Sequence, residues 1–116
     1  MSSDMVRWYD MPIALYPDTE KDCFSGQSLV EDNRVIAIYH GTESGNAIAT
    51  STDPLLVTWN KNPHNPVIPI VPVDSTGYPY RVFDPCIWKE GEYYYSLSGT
   101  YRNGERSVDC EAVDHI

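Results

Sequence analysis

An all-β chain built from repeated blades is what this sequence predicts, and three observations predict it. The stretch from Phe24 to Thr42 resembles the stretch from Phe83 to Thr100: Phe24 aligns with Phe83, 59 residues on, and Gly41-Thr42 with Gly99-Thr100, 58 residues on, as if the first turn carried one extra residue. Runs of β-branched and aromatic residues are separated by clusters of turn-forming residues. No segment sustains a helical period. A fixed period of all-β units marks a β-propeller. In such a fold the chemistry gathers where the innermost strands converge on the central channel. The residues that open each repeat are therefore the first candidates for function.

The elements follow in order. Residues 1–22 read as an irregular lead-in, with Trp8 and Leu15-Tyr16 as anchors. The β pattern begins at Cys23, and Ser28-Leu29-Val30 reads as a first strand. Glu31-Asp32-Asn33 is a tight turn of the residues such turns prefer. Val35 to Tyr39 is β-branched and aromatic, hence a buried strand. After a turn at Glu43 to Asn46, Ala47 to Ser51 makes a third strand and Val57 to Trp59 a short fourth, which completes one blade. Residues 62–80 hold Pro63, Pro66, Pro69, Pro72 and Pro79. Proline removes ladder donors, so this segment is a connection and not a sheet interior. The second repeat places strands at Cys86-Ile87-Trp88, Tyr93 to Leu97 and Ser107 to Val113, with turns at Lys89-Glu90-Gly91 and Asn103-Gly104. The organisation is thus a lead-in over 1–22, one blade with its connection over 23–81, and most of the next blade over 82–116.

Composition narrows the partners. The 116 residues carry a net charge of −9, which disfavours nucleic acid and anionic membrane surfaces, since both select basic faces. No apolar run is long enough for a transmembrane helix, and the first residues lack the apolar core of a signal peptide. Localisation stays unassigned, with the cytoplasm as default. Cys23, Cys86 and Cys110 form no Cys-x-x-Cys motif, so neither a disulfide framework nor a zinc site is expected. Two blades do not close a propeller, and repeat units bury their apolar faces only against neighbours. Self-association through an uncovered blade face and edge is expected, with Trp88, Tyr93, Tyr95 and Leu97 as the face.

Asp84 is the sharpest candidate for chemistry. It opens the second repeat, at the position Ser25 holds in the first, and faces the expected axis. A residue before proline is restricted to extended backbone, which would fix the direction of the carboxylate. Asp-Pro is also a common turn dipeptide. His40 at a strand end reads as a surface or hydrogen-bonded histidine; for His64, in the proline-rich connection, and His115 the sequence pattern suggests no role in chemistry. The Tyr93-Tyr94-Tyr95 run alternates faces, and it, Trp59 and Trp88 read as packing residues before sugar platforms.

Five segments in register carry a resemblance. They are Asp22-Cys23-Phe24-Ser25-Gly26; Tyr39-His40-Gly41-Thr42; Ser51-Thr52-Asp53 with Trp59-Asn60-Lys61; Asn65-Pro66-Val67-Ile68; and Asp84-Pro85. Together with a Trp8…Leu15…Pro17 lead-in, they resemble glycoside hydrolase family 32, the invertases, levanases and related fructosidases. The resemblance implies a five-bladed propeller with a funnel-shaped site and retaining hydrolysis of sucrose-like or fructan bonds. That mechanism uses a nucleophilic carboxylate and an acid/base carboxylate about 5–5.5 Å apart. By resemblance Asp84 is the third carboxylate, which holds sugar hydroxyls and stabilises the transition state. Phe24, Ser25 and Phe83 match positions that line the sugar pocket. No metal or cofactor is implied.

The chain also departs from the family pattern. No Asn-Asp-Pro-Asn-Gly nucleophile stretch occurs, and Asp53-Pro54 falls in an outer loop. The family's Glu-Cys pair is represented only by a reversed Cys110-Glu111 too close to Asp84, so Glu111 reads as an ordinary strand residue. The arginine expected before Asp84 is Phe83, with Arg81 on the same face two residues upstream. On this reading the chain alone carries one of three expected carboxylates and is inactive in isolation. The competing reading is a non-catalytic, propeller-type carbohydrate-binding or assembly module. Propeller arabinosidases and xylosidases of family 43 use a similar three-carboxylate plan.

Overall fold

The computed structural model describes residues 1–72, 80–102, 105–113 and 116. Two antiparallel sheets hold all the regular structure described. The first contains β1 (Cys23–Val30), β2 (Val35–Gly41), β3 (Gly45–Ser51), β4 (Asn60–Lys61) and β5 (Ile68–Pro69), and the second β6 (Arg81–Glu90), β7 (Tyr93–Arg102) and β8 (Glu105–Val113). The order is β1-β2-β3-β4 with β5 also on β3, and then β6-β7-β8.

Side-chain alternation divides the first sheet into two faces. Ile36, Ile38 and Ile48 lie on one face and join Ile68, Val82, Ile87 and Val113 in a single buried cluster between the sheets. Each such side chain contributes about 1.5–3 kcal/mol when removed from water. The other face carries Tyr39, Ala47 and Ala49, covered by Leu15, Cys23 and Trp59. Polar bonds also tie the sheets together. The Ile87 N–H donates to Gln27 at 2.8 Å, and Asn46 Nδ2 donates to Ser98 Oγ at 2.8 Å. Glu31 accepts from Tyr94 at 2.6 Å and pairs with Arg34 at 2.7 Å and Lys89 at 3.3 Å. These hydrogen bonds hold the Glu31 carboxyl down at about 2.

The fourth strand is not where the alternation pattern puts it. Val57 to Trp59 is a loop, organised by Asp53, whose carboxylate accepts the N–H groups of Leu55, Val57 and Thr58, each at 3.0 Å. Ser51 Oγ donates to the Thr58 carbonyl at 2.7 Å, and the Trp59 indole donates to the Leu56 carbonyl at 2.7 Å. The outer edge of β3 is instead covered in pieces. Thr50 and Ala49 pair with Asn60 and Lys61; Asn46 and Gly45 pair with Ile68 and Pro69. Between the pieces the Asn65 side chain accepts from the Ile48 N–H and donates to its carbonyl, both at 2.9 Å. An amide side chain here takes the place of a strand residue. The proline-rich connection therefore does contribute to a sheet, at its edge, where proline is tolerated.

Other boundaries shift as well. The innermost strands begin earlier than expected, at Cys23 and Arg81, and β7 runs five residues beyond Leu97 to Arg102. The expected turn at Asn103-Gly104, together with Pro79 and His115, lies outside the described residues. In the lead-in, Leu15 packs on the core, but Trp8 and Tyr16 are 66% and 67% exposed. The anchor is Glu20, buried with its carboxylate bonded to Lys61, to the Tyr39 hydroxyl at 3.0 Å and to the Cys23 thiol at 3.1 Å. Lys61 also pairs with Asp18 at 2.8 Å.

Candidate functional site

The first and sixth strands, which open the two repeats, carry the same defect. Cys23 pairs with Gly41 and Gly26 with Tyr39, so Phe24 and Ser25 together oppose His40. Phe83 pairs with Gly99 and Cys86 with Leu97, so Asp84 and Pro85 together oppose Ser98. Two residues facing one is a β-bulge, which bends a strand and re-aims its side chains. The ladders equate Asp84 with Phe24, and Pro85 with Ser25. Matching Phe24 to Phe83 is therefore off by one residue, because the first turn, residues 31–34, is two residues longer than 91–92.

Each bulge has its own local cause. Gly26 lies so close to β2 that a Cβ there would be 1.9 Å from the Ile38 carbonyl oxygen. Pro85 has no N–H to lose where the ladder is already interrupted. Asp84 is not extended, as its place before proline implied; its φ is 49°. Aspartate adopts this left-handed region more readily than most residues, and the bulge imposes it. The Asp84 side chain is exposed and makes no hydrogen bond or ion pair among the described residues. Nothing among the described residues neutralises it.

Aromatic rings lie at or next to both bulges. Phe24 is 60% exposed, with its ring 6.5 Å from the His40 ring. The Phe83 ring covers Gly99, where a Cβ would come within 2.6 Å of it, and meets Tyr101 at 5.7 Å. Ser25 is exposed beside Phe24. His40 is neither a surface residue nor fully satisfied: it is partly buried, and its Nδ1 is buried without a partner. Arg81 and Phe83 share a face, as alternation requires, and both line a cleft of about 330 Å³ with His40, Glu43, Ile70 and Tyr101. The sequence does not reveal that cleft, because its walls come from three strands, β2, β6 and β7, and from two connecting segments, at Glu43 and Ile70.

The other polar candidates are structural. Asp53 is committed to its loop. Glu111 is more than a plain strand residue: it accepts from the Tyr80 hydroxyl at 2.7 Å, and Asp109 lies 2.9 Å from the same oxygen. Burial and these two carboxylates push the Tyr80 phenol well above its ordinary range. Tyr94 belongs to the contact between the sheets, whereas Trp88 stacks on Tyr95 at 5.6 Å.

Two adjoining antiparallel sheets, each with a bulged inner strand, are blades of a β-propeller. The chain belongs to glycosyl hydrolase family 32: the family's N-terminal domain matches residues 1–110. It is 37% identical over 83 residues to a levanase of Bacillus subtilis, covering 60% of this chain and 12% of that protein. It is 33% identical over 106 residues to a sucrose-6-phosphate hydrolase of Escherichia coli, covering 84% of this chain and 22% of that one. Among solved structures it resembles a family 32 beta-fructofuranosidase of Bombyx mori with a TM-score of 0.67 and 31% identity, over 88% of this chain and 22% of that chain. A family 43 endo-arabinanase of Bacillus licheniformis shares the fold at a TM-score of 0.54 and 14% identity, over 86% of this chain and 36% of that chain. The chain spans less than a quarter of the length of these curated relatives.

Proposed function

We propose that this chain forms two adjoining blades of a family 32 propeller, with 1–22 as lead-in, 23–81 as one blade plus connection and 82–116 as most of the next. Its part in chemistry is to present Asp84 to the hydroxyls of a fructosyl-type sugar in a retaining glycoside hydrolase. The observation that carries this reading is the bulge shared by β1 and β6, which presents Asp84 unpaired and Phe24 exposed at equivalent places on neighbouring strands. A free carboxylate accepts from sugar hydroxyls, and an exposed ring offers an apolar face to the sugar's C–H groups. Ser25, exposed on the β1 bulge, and Phe83, beside Asp84 in sequence, are assigned to the same sugar pocket. The nucleophile and the acid/base carboxylate are not among these 116 residues, so the isolated chain binds sugar without cleaving it.

Two measurements test this. The purified chain is expected to release no reducing sugar from sucrose, inulin or levan at an enzymatic rate, because loss of catalytic members costs several orders of magnitude. Fructose binding, followed by saturation-transfer NMR, is expected to weaken about tenfold or more in Asp84→Asn, as for a charged hydrogen-bond partner. Asp53→Asn and Glu111→Gln should leave it nearly unchanged. Equal losses in all three would overturn the Asp84 assignment, and turnover by the purified chain at an enzymatic rate would overturn its inactivity.

A further inference from the structure

Polar side chains tie the two sheets together at three levels. Furthest from the bulges, Glu31 and Arg34 of the first turn bond to the Tyr94 hydroxyl at 2.6 and 3.0 Å. In between, the Ile87 N–H donates to Gln27, two residues past Pro85 and Ser25 respectively. At the level of the bulges the tie is Asn46. Its side chain is fully buried, its Nδ2 donates to the buried Ser98 Oγ, and its Oδ1 has no partner among the described residues.

Asn46 stands between the residues that face the two bulges. On one side it is the direct ladder partner of His40, which Phe24 and Ser25 oppose. On the other its hydrogen bond holds Ser98, which Asp84 and Pro85 oppose. A path of His40, Asn46 and Ser98 thus runs from one bulge to the other across β2, β3 and β7. Inside each bulge the ladder is interrupted, so the strand opposite is what locates the two bulged residues. Stability does not account for this amide. A buried oxygen without a partner is destabilising, and replacing both members of the pair by apolar groups of similar shape is close to neutral. An apolar pair, however, has no preferred direction and could not fix one point of β3 to one point of β7. We propose that Asn46 is a positioning residue for the sugar site: through Ser98 it sets the angle between the sheets at the bulged end, and with it the separation of the Phe24 ring from the Asp84 carboxylate. This rests on the Asp84 reading and adds to it a residue that touches no sugar.

The test combines Asn46→Leu with Ser98→Ala in the full 116-residue chain, which removes the tie and both its polar groups. The thermal melt is expected to stay within a few degrees of the parent, because the unpartnered oxygen goes with the bond. Fructose binding by saturation-transfer NMR should nevertheless weaken about fivefold, the bias one neutral hydrogen bond can impose. In an Asp84→Asn background the same two changes should cost less than about a further twofold, since Asn46 acts through the placement of that carboxylate. In amide NMR spectra the resonances of Ser25 and Asp84 should move, while those of Lys89 and Tyr94, at the far end, hold still. Unchanged fructose binding, a full fivefold loss in the Asp84→Asn background, or a loss with the Ser25 and Asp84 resonances unmoved overturns the positioning role and leaves the Asp84 reading in place. A melt lowered by more than about 10 °C, beyond what one lost neutral bond explains, would make Asn46 a stability residue and also overturn it. If the parent binds no fructose, or Asp84→Asn binds it as well as the parent, the Asp84 reading falls and the proposal with it.

Discussion

At the scale of single residues, the most committed side chain is Glu20. Burial alone would raise its carboxyl, but hydrogen bonds from Lys61 and Cys23 hold it far below its ordinary 4.5. The same contact and burial push the Cys23 thiol up to about 11. A folded value below the unfolded one means stability that is full above the ordinary carboxyl value and lost as pH falls toward the folded value. Glu20→Gln should cost about 3–5 kcal/mol near neutral pH, because it leaves the largely buried Lys61 with one fewer countercharge. The difference from the parent should shrink as the pH drops from 6 to 3. Urea unfolding across that range checks both points; a pH-independent gap would mean that the carboxylate's charge is not what matters. None of this was legible in the sequence. Glu20 sits in a polar run, Asp18 to Asp22, and burial of one carboxylate among several acidic and basic neighbours leaves no local pattern. The repeat drew attention to Asp84, but not to its left-handed backbone.

At the scale of elements, the central strands of each repeat were readable from β-branched and aromatic runs, and the boundaries were not. Strand ends here are decided by partners distant in sequence. Val57 to Trp59 read as a short fourth strand, but the Asp53 carboxylate and the Ser51 hydroxyl bond it into a loop. Asn65 shows the same point in reverse: its amide completes a sheet edge from within a proline-rich segment. Asn65→Ala removes the partner of the Ile48 N–H and should destabilise the chain by about 1–3 kcal/mol, the cost of an orphaned backbone group. Hydrogen exchange at Ile48 should accelerate more than at Ile36 or Ile38; uniform acceleration across β2 and β3 would contradict this local role. Gly26→Ala should be worse, since a methyl cannot fit 1.9 Å from a carbonyl oxygen. A loss above about 3 kcal/mol is expected, in the range reserved for backbone conflicts, and a melt within a few degrees of the parent would refute the close approach.

At the scale of the molecule, the second sheet leaves an open flank. Among the described residues β8 pairs with β7 alone, and Tyr93, Leu97 and Val108 are 63%, 39% and 65% exposed. An exposed strand edge beside apolar side chains templates association. The chain should therefore scatter light as a dimer or larger at high micromolar concentration, and Leu97→Lys with Val108→Lys should shift it toward monomer. A parent that stays monomeric under those conditions would overturn this.

The paired bulges have a consequence of another kind. One backbone device, used twice, holds a phenyl ring at Phe24 and a carboxylate at Asp84. The ladder on either side does not depend on which of them is there, because neither position pairs with the neighbouring strand. Such a position works as a socket: its occupant can be exchanged for a different chemistry while the sheet that carries it keeps its register. A propeller whose inner strands all bear this socket could diversify its channel one blade at a time, without renegotiating its core.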